Sequence, residues 1–204
     1  MAGECAAGRQ GVKKLQVGFF LFEGLELLDA AGPWEVFSSA DMLHEGTLFE
    51  LLSFSAEAGK VRTVNGLSLI ADFGIDEVSQ PDLLVIPGGE GSRRVAADQV
   101  LTGRLKELHE KSQYTMSICS GARILAAAGL LKGRMFTTHH LVYEDVLRIE
   151  PDAIPDKESR YAGDGRIYTS GGVSAGMDLA FHLLEKLYGK AAAEKTARYM
   201  EYGE

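Results

Sequence analysis

Three short strand-like runs constrain this chain more than any other feature: "LQVGFFLF" at 15–22, "DLLVIP" at 82–87 and "YTMSI" at 114–118. The first two are apolar runs without the regular alternation of a strand with one wet face, and "YTMSI" reads as the next strand after them. Continuous apolar runs of this length belong to strands buried on both faces. Each leads through a turn into a stretch of helical periodicity. Strands alternating with helices predict an α/β fold with a mainly parallel central sheet covered on both sides.

Between these runs the pattern is legible. "TLFELLSFS" (47–55) reads as a further strand, and Asn65-Gly66 between two β-rich runs reads as a hairpin turn. A helix is expected from Pro33, since proline suits a first turn, which would leave Asp29 in the connection before it. Asp98 can cap a helix over 98–112, and the helix after "YTMSI" should close at Gly129 or Gly133. "LVYEDVLRIE" reads as a helix up to Pro151. A second hairpin should turn at Gly163-Asp164-Gly165, and two helices finish the chain. Residues 15–204 form a single domain in this reading, and residues 1–14 a disordered tail.

Charge and cysteine usage narrow the function. The net charge of −8 argues against a non-specific nucleic-acid binder or a basic membrane-surface helix. No apolar run approaches the roughly 20 residues of a membrane span, and the N-terminus lacks a signal-peptide pattern. Cys5 lies in the tail and Cys119 in the densest structural signal, so no disulfide framework is expected. The five histidines show no paired metal-ligand spacing. These features fit a protein of the reducing cytosol with no metal.

Cys119 stands at the join of strand and helix. "SICSG" has the layout of a nucleophile elbow, with small residues at 117 and 121 around a cysteine. The tip of such a turn pushes its side chain into the cleft and strains the backbone. A helix N-terminus aimed at the sulfur should lower the thiol pKa. The other reading of a lone cysteine is a small core hydrophobe.

A nucleophile needs a proton partner. Ser120 follows Cys119, so no adjacent histidine serves. Asp29, set among Leu27, Leu28, Ala30 and Ala31, has two readings: a buried acid–base group, or a helix cap before Pro33. The amides of Gly88 and Gly89 in "PGGEG" could donate to developing negative charge. His139 and His140 read as a loop pair near the cleft mouth.

"LLDAAGPWEVF", "LLVIPGG", "SICSGARILAAAGLLKGRMFTTHH" and "DGRIYTSGGVSAGMDLA" together resemble the DJ-1/PfpI superfamily over about residues 15–190. Within it the likeness is to the isocyanide (isonitrile) hydratases and to the sensor-like domains of some AraC-type regulators. The resemblance implies a flavodoxin-like three-layer sandwich, a homodimer, and a cofactor-free site with Cys119 as nucleophile and Asp29 as its acid. Protease-like and DJ-1-like branches usually carry glutamate there, so aspartate favours the hydratase branch. Ser120 departs from the histidine of PfpI-type proteases and from the threonine common in hydratases, keeping the hydroxyl. His139 matches a "TTHW"-like segment, with His140 in place of the usual tryptophan. The chain reaches Glu204 with no basic helix after the domain, so no DNA-binding role is expected.

The resemblance implies a cysteine-dependent hydro-lyase converting isocyanides to N-substituted formamides, its apolar pocket lined partly by residues after Asp29 and near His140. Ser120, Gly88, Gly89 and His139 would orient nucleophile and substrate. Alternatives are a non-catalytic ligand or redox sensor, and a glyoxalase- or deglycase-like enzyme on reactive carbonyls, against which the missing glutamate counts.

Overall fold

The computed structural model describes residues 13–203. The expected tail thus lies outside the described residues except for Lys13 and Lys14, which lead into the first strand; Cys5 also lies outside them. In chain order the elements are β1 (Leu15–Phe20), α1 (Leu27–Leu43), β2 (Phe49–Ser55), β3 (Gly59–Arg62), β4 (Ser68–Ala71), β5 (Phe73–Gly74), β6 (Leu83–Ile86), α2 (Ser92–Ala97), α3 (Gln99–Lys111) and β7 (Tyr114–Ile118). There follow α4 (Ala122–Ala127), β8 (Met135–Phe136), α5 (Tyr143–Ile149), β9 (Ile154–Pro155), β10 (Tyr161–Asp164), β11 (Ile167–Ser170), α6 (Ala175–Tyr188) and α7 (Lys190–Tyr199).

The three strand-like runs form the heart of a seven-stranded sheet ordered β10-β11-β7-β6-β1-β2-β5. All neighbours are parallel except the edge pair β10–β11. All three runs are covered on both faces: β6 is buried along its whole length, β1 from Val17 onward and β7 after Tyr114. Helices α1, α6 and α7 pack on one another as one group, and α2, α3, α4 and α5 as another. The core between them includes Phe19, Phe20, Phe37, Phe54, Leu84 and Ile118.

Local expectations hold where the signal is local. Asp98 caps α3, its carboxylate accepting from the Val100 and Leu101 amides at 3.0 Å. β3 and β4 pair antiparallel around the Asn65-Gly66 turn. The second hairpin turns two residues later than expected, at Gly165-Arg166, with Gly163 and Asp164 already paired in β10.

Two helices differ from expectation in ways that matter for function. Helix α1 starts at Leu27 rather than at Pro33, which lies inside it. Its first turn is capped from a distance: the Asn65 side chain, brought over by the β3–β4 hairpin, accepts from the Leu27 amide at 3.1 Å. A tertiary cap of this kind leaves no trace in the local sequence. After Cys119 the chain forms a 3-10 turn over Cys119–Gly121 and then only the six residues of α4. It closes at Gly129, whose φ of 71° ends the turn.

Candidate active site

Cys119 sits where β7 ends, in the centre of the sheet, at φ 54°. A left-handed backbone at a non-glycine residue costs energy and is held by its surroundings. Here the Cys119 amide donates to the Gly171 carbonyl at 3.1 Å, and the Thr138 hydroxyl donates to the Cys119 carbonyl at 2.6 Å. Gly121 is needed because a Cβ there would collide with the Ile86 carbonyl of the neighbouring strand. The strained elbow expected from "SICSG" is therefore present.

Asp29 is fully buried and is not a cap. It is the third residue of α1, and its side chain turns inward, where Oδ2 accepts from the Gly88 amide at 2.9 Å. Oδ1 has no hydrogen-bond partner. The Cys119 thiol and the Val173 amide both interact with the carboxyl. Burial drives the Asp29 pKa from 3.8 to about 7; the Gly88 hydrogen bond opposes it, Glu26 adds to the rise, and the nearby Cys119 thiol and Val173 amide oppose it more weakly. An acid with a pKa near 7 can both accept and return a proton at neutral pH.

The expected lowering of the thiol pKa is corrected. Burial, reinforced by the neighbouring Asp29 carboxylate, pushes the Cys119 thiol up to about 12. The Ser120 and Val173 amides pull the other way but do not prevail. The helix beyond is short and begins three residues after the sulfur, so it offers little field to offset desolvation. The resting sulfur is a protonated thiol beside an acid that titrates near neutral pH.

The glycine loop has a different task from the one expected. The Gly88 amide is occupied by Asp29, and the Gly89 amide donates to Ser120 Oγ at 2.8 Å. Neither is free to receive a substrate oxyanion. Gly88 admits no side chain: a Cβ would lie 2.5 Å from the Ser120 nitrogen and 2.9 Å from Asp29 Oδ2. The loop is thus a clamp that holds the acid close to the elbow. Ser120 likewise faces the loop. Its hydroxyl lies within hydrogen-bond distance of the Gly89 carbonyl (3.1 Å) and of Ser92 (3.2 Å), and Arg123 donates to Ser92 at 2.6 Å.

His139 packs against Gly172 and stacks on His140, with ring centroids 4.3 Å apart. It borders the loop that carries Val173. An apolar cavity of about 370 Å³ is lined by Ala30, Ala31 and Trp34, as expected of residues after Asp29. Its other walls are Leu21, Leu69 and Ile70 with the polar side chains of Glu35, Ser53 and Asp72, and neither Cys119 nor His140 reaches it. Val173 and Thr138 escaped the sequence reading. Val173 holds a left-handed φ of 48°, unusual for a β-branched residue, and presents its amide to both reactive groups. The "SGGV" turn after a buried strand was the available signal.

A parallel-sheet α/β sandwich with a strained strand-end cysteine beside a buried carboxyl defines a class of proteins, and the likenesses agree with it. The DJ-1/PfpI family model matches residues 15–186, and the chain belongs to that family. Isonitrile hydratase of Pseudomonas putida is 32% identical over 188 residues, covering 92% of this chain and 78% of that protein. The HTH-type transcriptional regulator GbdR of Pseudomonas aeruginosa is 26% identical over 189 residues, 91% of this chain but 50% of the regulator. A THiJ/PfpI family protein from Pseudomonas syringae superposes with a TM-score of 0.85 at 24% identity, covering 100% of this chain and 82% of that one.

Proposed function

We propose that this protein hydrates isocyanides to N-substituted formamides, with Cys119 as nucleophile and Asp29 as proton carrier. The observation that supports this most is the buried pair itself: a cysteine at a strained elbow beside a carboxyl with a pKa near 7. The Asp29 carboxylate takes the thiol proton as sulfur attacks the terminal isocyanide carbon. It then gives that proton to the same carbon, so that S–C and C–H bonds have formed and the product is a thioimidate. Water adds to the thioimidate carbon, and the C–S bond breaks. The sulfur leaves with a proton, and the formamide carries the remaining hydrogen on nitrogen. The net reaction consumes one isocyanide and one water, with no cofactor.

The apolar cavity beside Trp34 would suit a bulky isocyanide substituent that extends along α1. The protein would act as a homodimer. Val64, Leu67 and Ile70 expose apolar side chains on and beside the β3–β4 hairpin, close to exposed Leu28 on α1, and a second copy would cover them. A second reading, a non-catalytic ligand sensor, is favoured by the protonated, buried state of the thiol. Turnover decides between them. Wild type and Cys119→Ser are assayed against a panel of isocyanides and against methylglyoxal. Formamide production by wild type alone supports the hydratase. Turnover of methylglyoxal only assigns a carbonyl enzyme, and no turnover of either leaves the sensor.

A further inference from the structure

Four residues past Cys119, Arg123 is turned into the protein and is only 4% exposed. One end of its guanidinium grips Ser92 and the other donates to Asp145 at 2.6 Å, while its Nε has no partner. Asp145, in the first turn of α5, is also met by Arg93 at 2.8 Å and Arg148 at 3.0 Å. Three guanidiniums thus converge on one carboxylate. The other acid in reach is exposed Glu90, 3.9 Å from Arg93. Positive charge is left over here in a chain whose net charge is −8.

Stability does not account for this arrangement. A buried arginine needs one counter-ion, which Asp145 supplies to Arg123. Arg93 and Arg148 are exposed, and exposed ion pairs to an already neutralised carboxylate contribute little. The three arginines nevertheless line one depression of about 280 Å³ around the Asp145 carboxylate, with Ala97 and Ile149 as apolar wall. Guanidinium forks match phosphate oxygens in pairs, and the uncompensated positive charge favours an anion here.

We propose that this depression is a binding site for a phosphate dianion, free or at the end of a small phosphomonoester. Arg93 and Arg148 hold it from the rim, and Arg123 supplies charge from the floor.

The full chain is titrated calorimetrically with inorganic phosphate and, separately, with glycerol phosphate, at ionic strength fixed with chloride. Saturable one-site binding of at least one probe is expected, and the tighter of the two identifies the source of the phosphate. Arg93→Ala combined with Arg148→Ala should weaken it at least about tenfold, leaving buried Arg123 and its counter-ion in place. A control with the same loss of charge, Lys132→Ala with Lys190→Ala at exposed positions, should bind as wild type does. The proposal fails if neither probe gives saturable binding, or if the arginine double variant binds as tightly as the lysine control.

Discussion

Asp29→Asn should change the pH dependence of stability in a way that no surface carboxylate can. A carboxyl whose pKa rises from 3.8 to about 7 on folding binds its proton more tightly in the folded state. Between those values the folded protein holds the proton and the unfolded chain has lost it, so stability falls as pH rises, then levels above 7. At about 1.4 kcal/mol per pH unit, the interval corresponds to about 4 kcal/mol. Asparagine stays neutral and lacks that slope. Its oxygen can still accept from Gly88, but its amide group meets the place where Oδ1 has no partner, an unfavourable burial of about 1–3 kcal/mol at every pH. The variant should therefore be the less stable protein at pH 4 and the more stable one at pH 8. Urea unfolding of reduced wild type and variant at intervals from pH 4 to 8, with unchanged m-values, measures the swing. Parallel stability curves would show that Asp29 is not titrating in a dry site, and the proton-carrier reasoning would fall with it.

Other outcomes follow from the same geometry. Thiolate absorbance of Cys119, read in a Cys5→Ser background, should stay low through pH 9 in wild type and appear at lower pH in Asp29→Asn, because a neighbouring negative charge has gone; a wild-type thiolate already formed at pH 7 would contradict the site described. Gly88→Ala should cost about 1–3 kcal/mol of stability by forcing Ser120 and Asp29 apart, and should lower turnover with it; unchanged thermal unfolding would mean the loop is loose. In strong reductant, light scattering at micromolar concentration should give a dimer, and Leu67→Glu with Ile70→Lys should give a monomer; if wild type is itself monomeric, the apolar hairpin does not pair.

Much of this was legible in the chain, and the reasons are local. Continuous apolar runs announce strands buried on both faces, and "SICSG" announces a tight elbow because only small residues fit beside the next strand. Asp98 could be read as a cap since its partners lie two and three residues away. Asp29 could not be resolved between cap and buried acid. Its helix is started by Asn65, 38 residues from Leu27, and its carboxyl is held by Gly88, 59 residues from Asp29. The thiol was misread for a related reason. A helix start is visible in sequence, whereas the desolvation that outweighs it comes from elements packed around the sulfur. The glycine amides looked free because their occupants, Asp29 and Ser120, are remote in the chain.

The central claim is that Asp29 carries the proton for Cys119, and the pH profile of kcat/KM for isocyanide hydration tests it most directly. That ratio reports ionisations of the free enzyme. Attack needs the carboxylate form of Asp29, so the wild-type rate should rise with pH to a plateau through an inflection near 7. Asp29→Asn should lack the inflection and lose at least about a hundredfold in rate, as expected for a positioned acid–base group. An inflection near 8.5, where a free thiol ionises, in both proteins, or an asparagine variant that keeps most of the wild-type rate, would contradict the account.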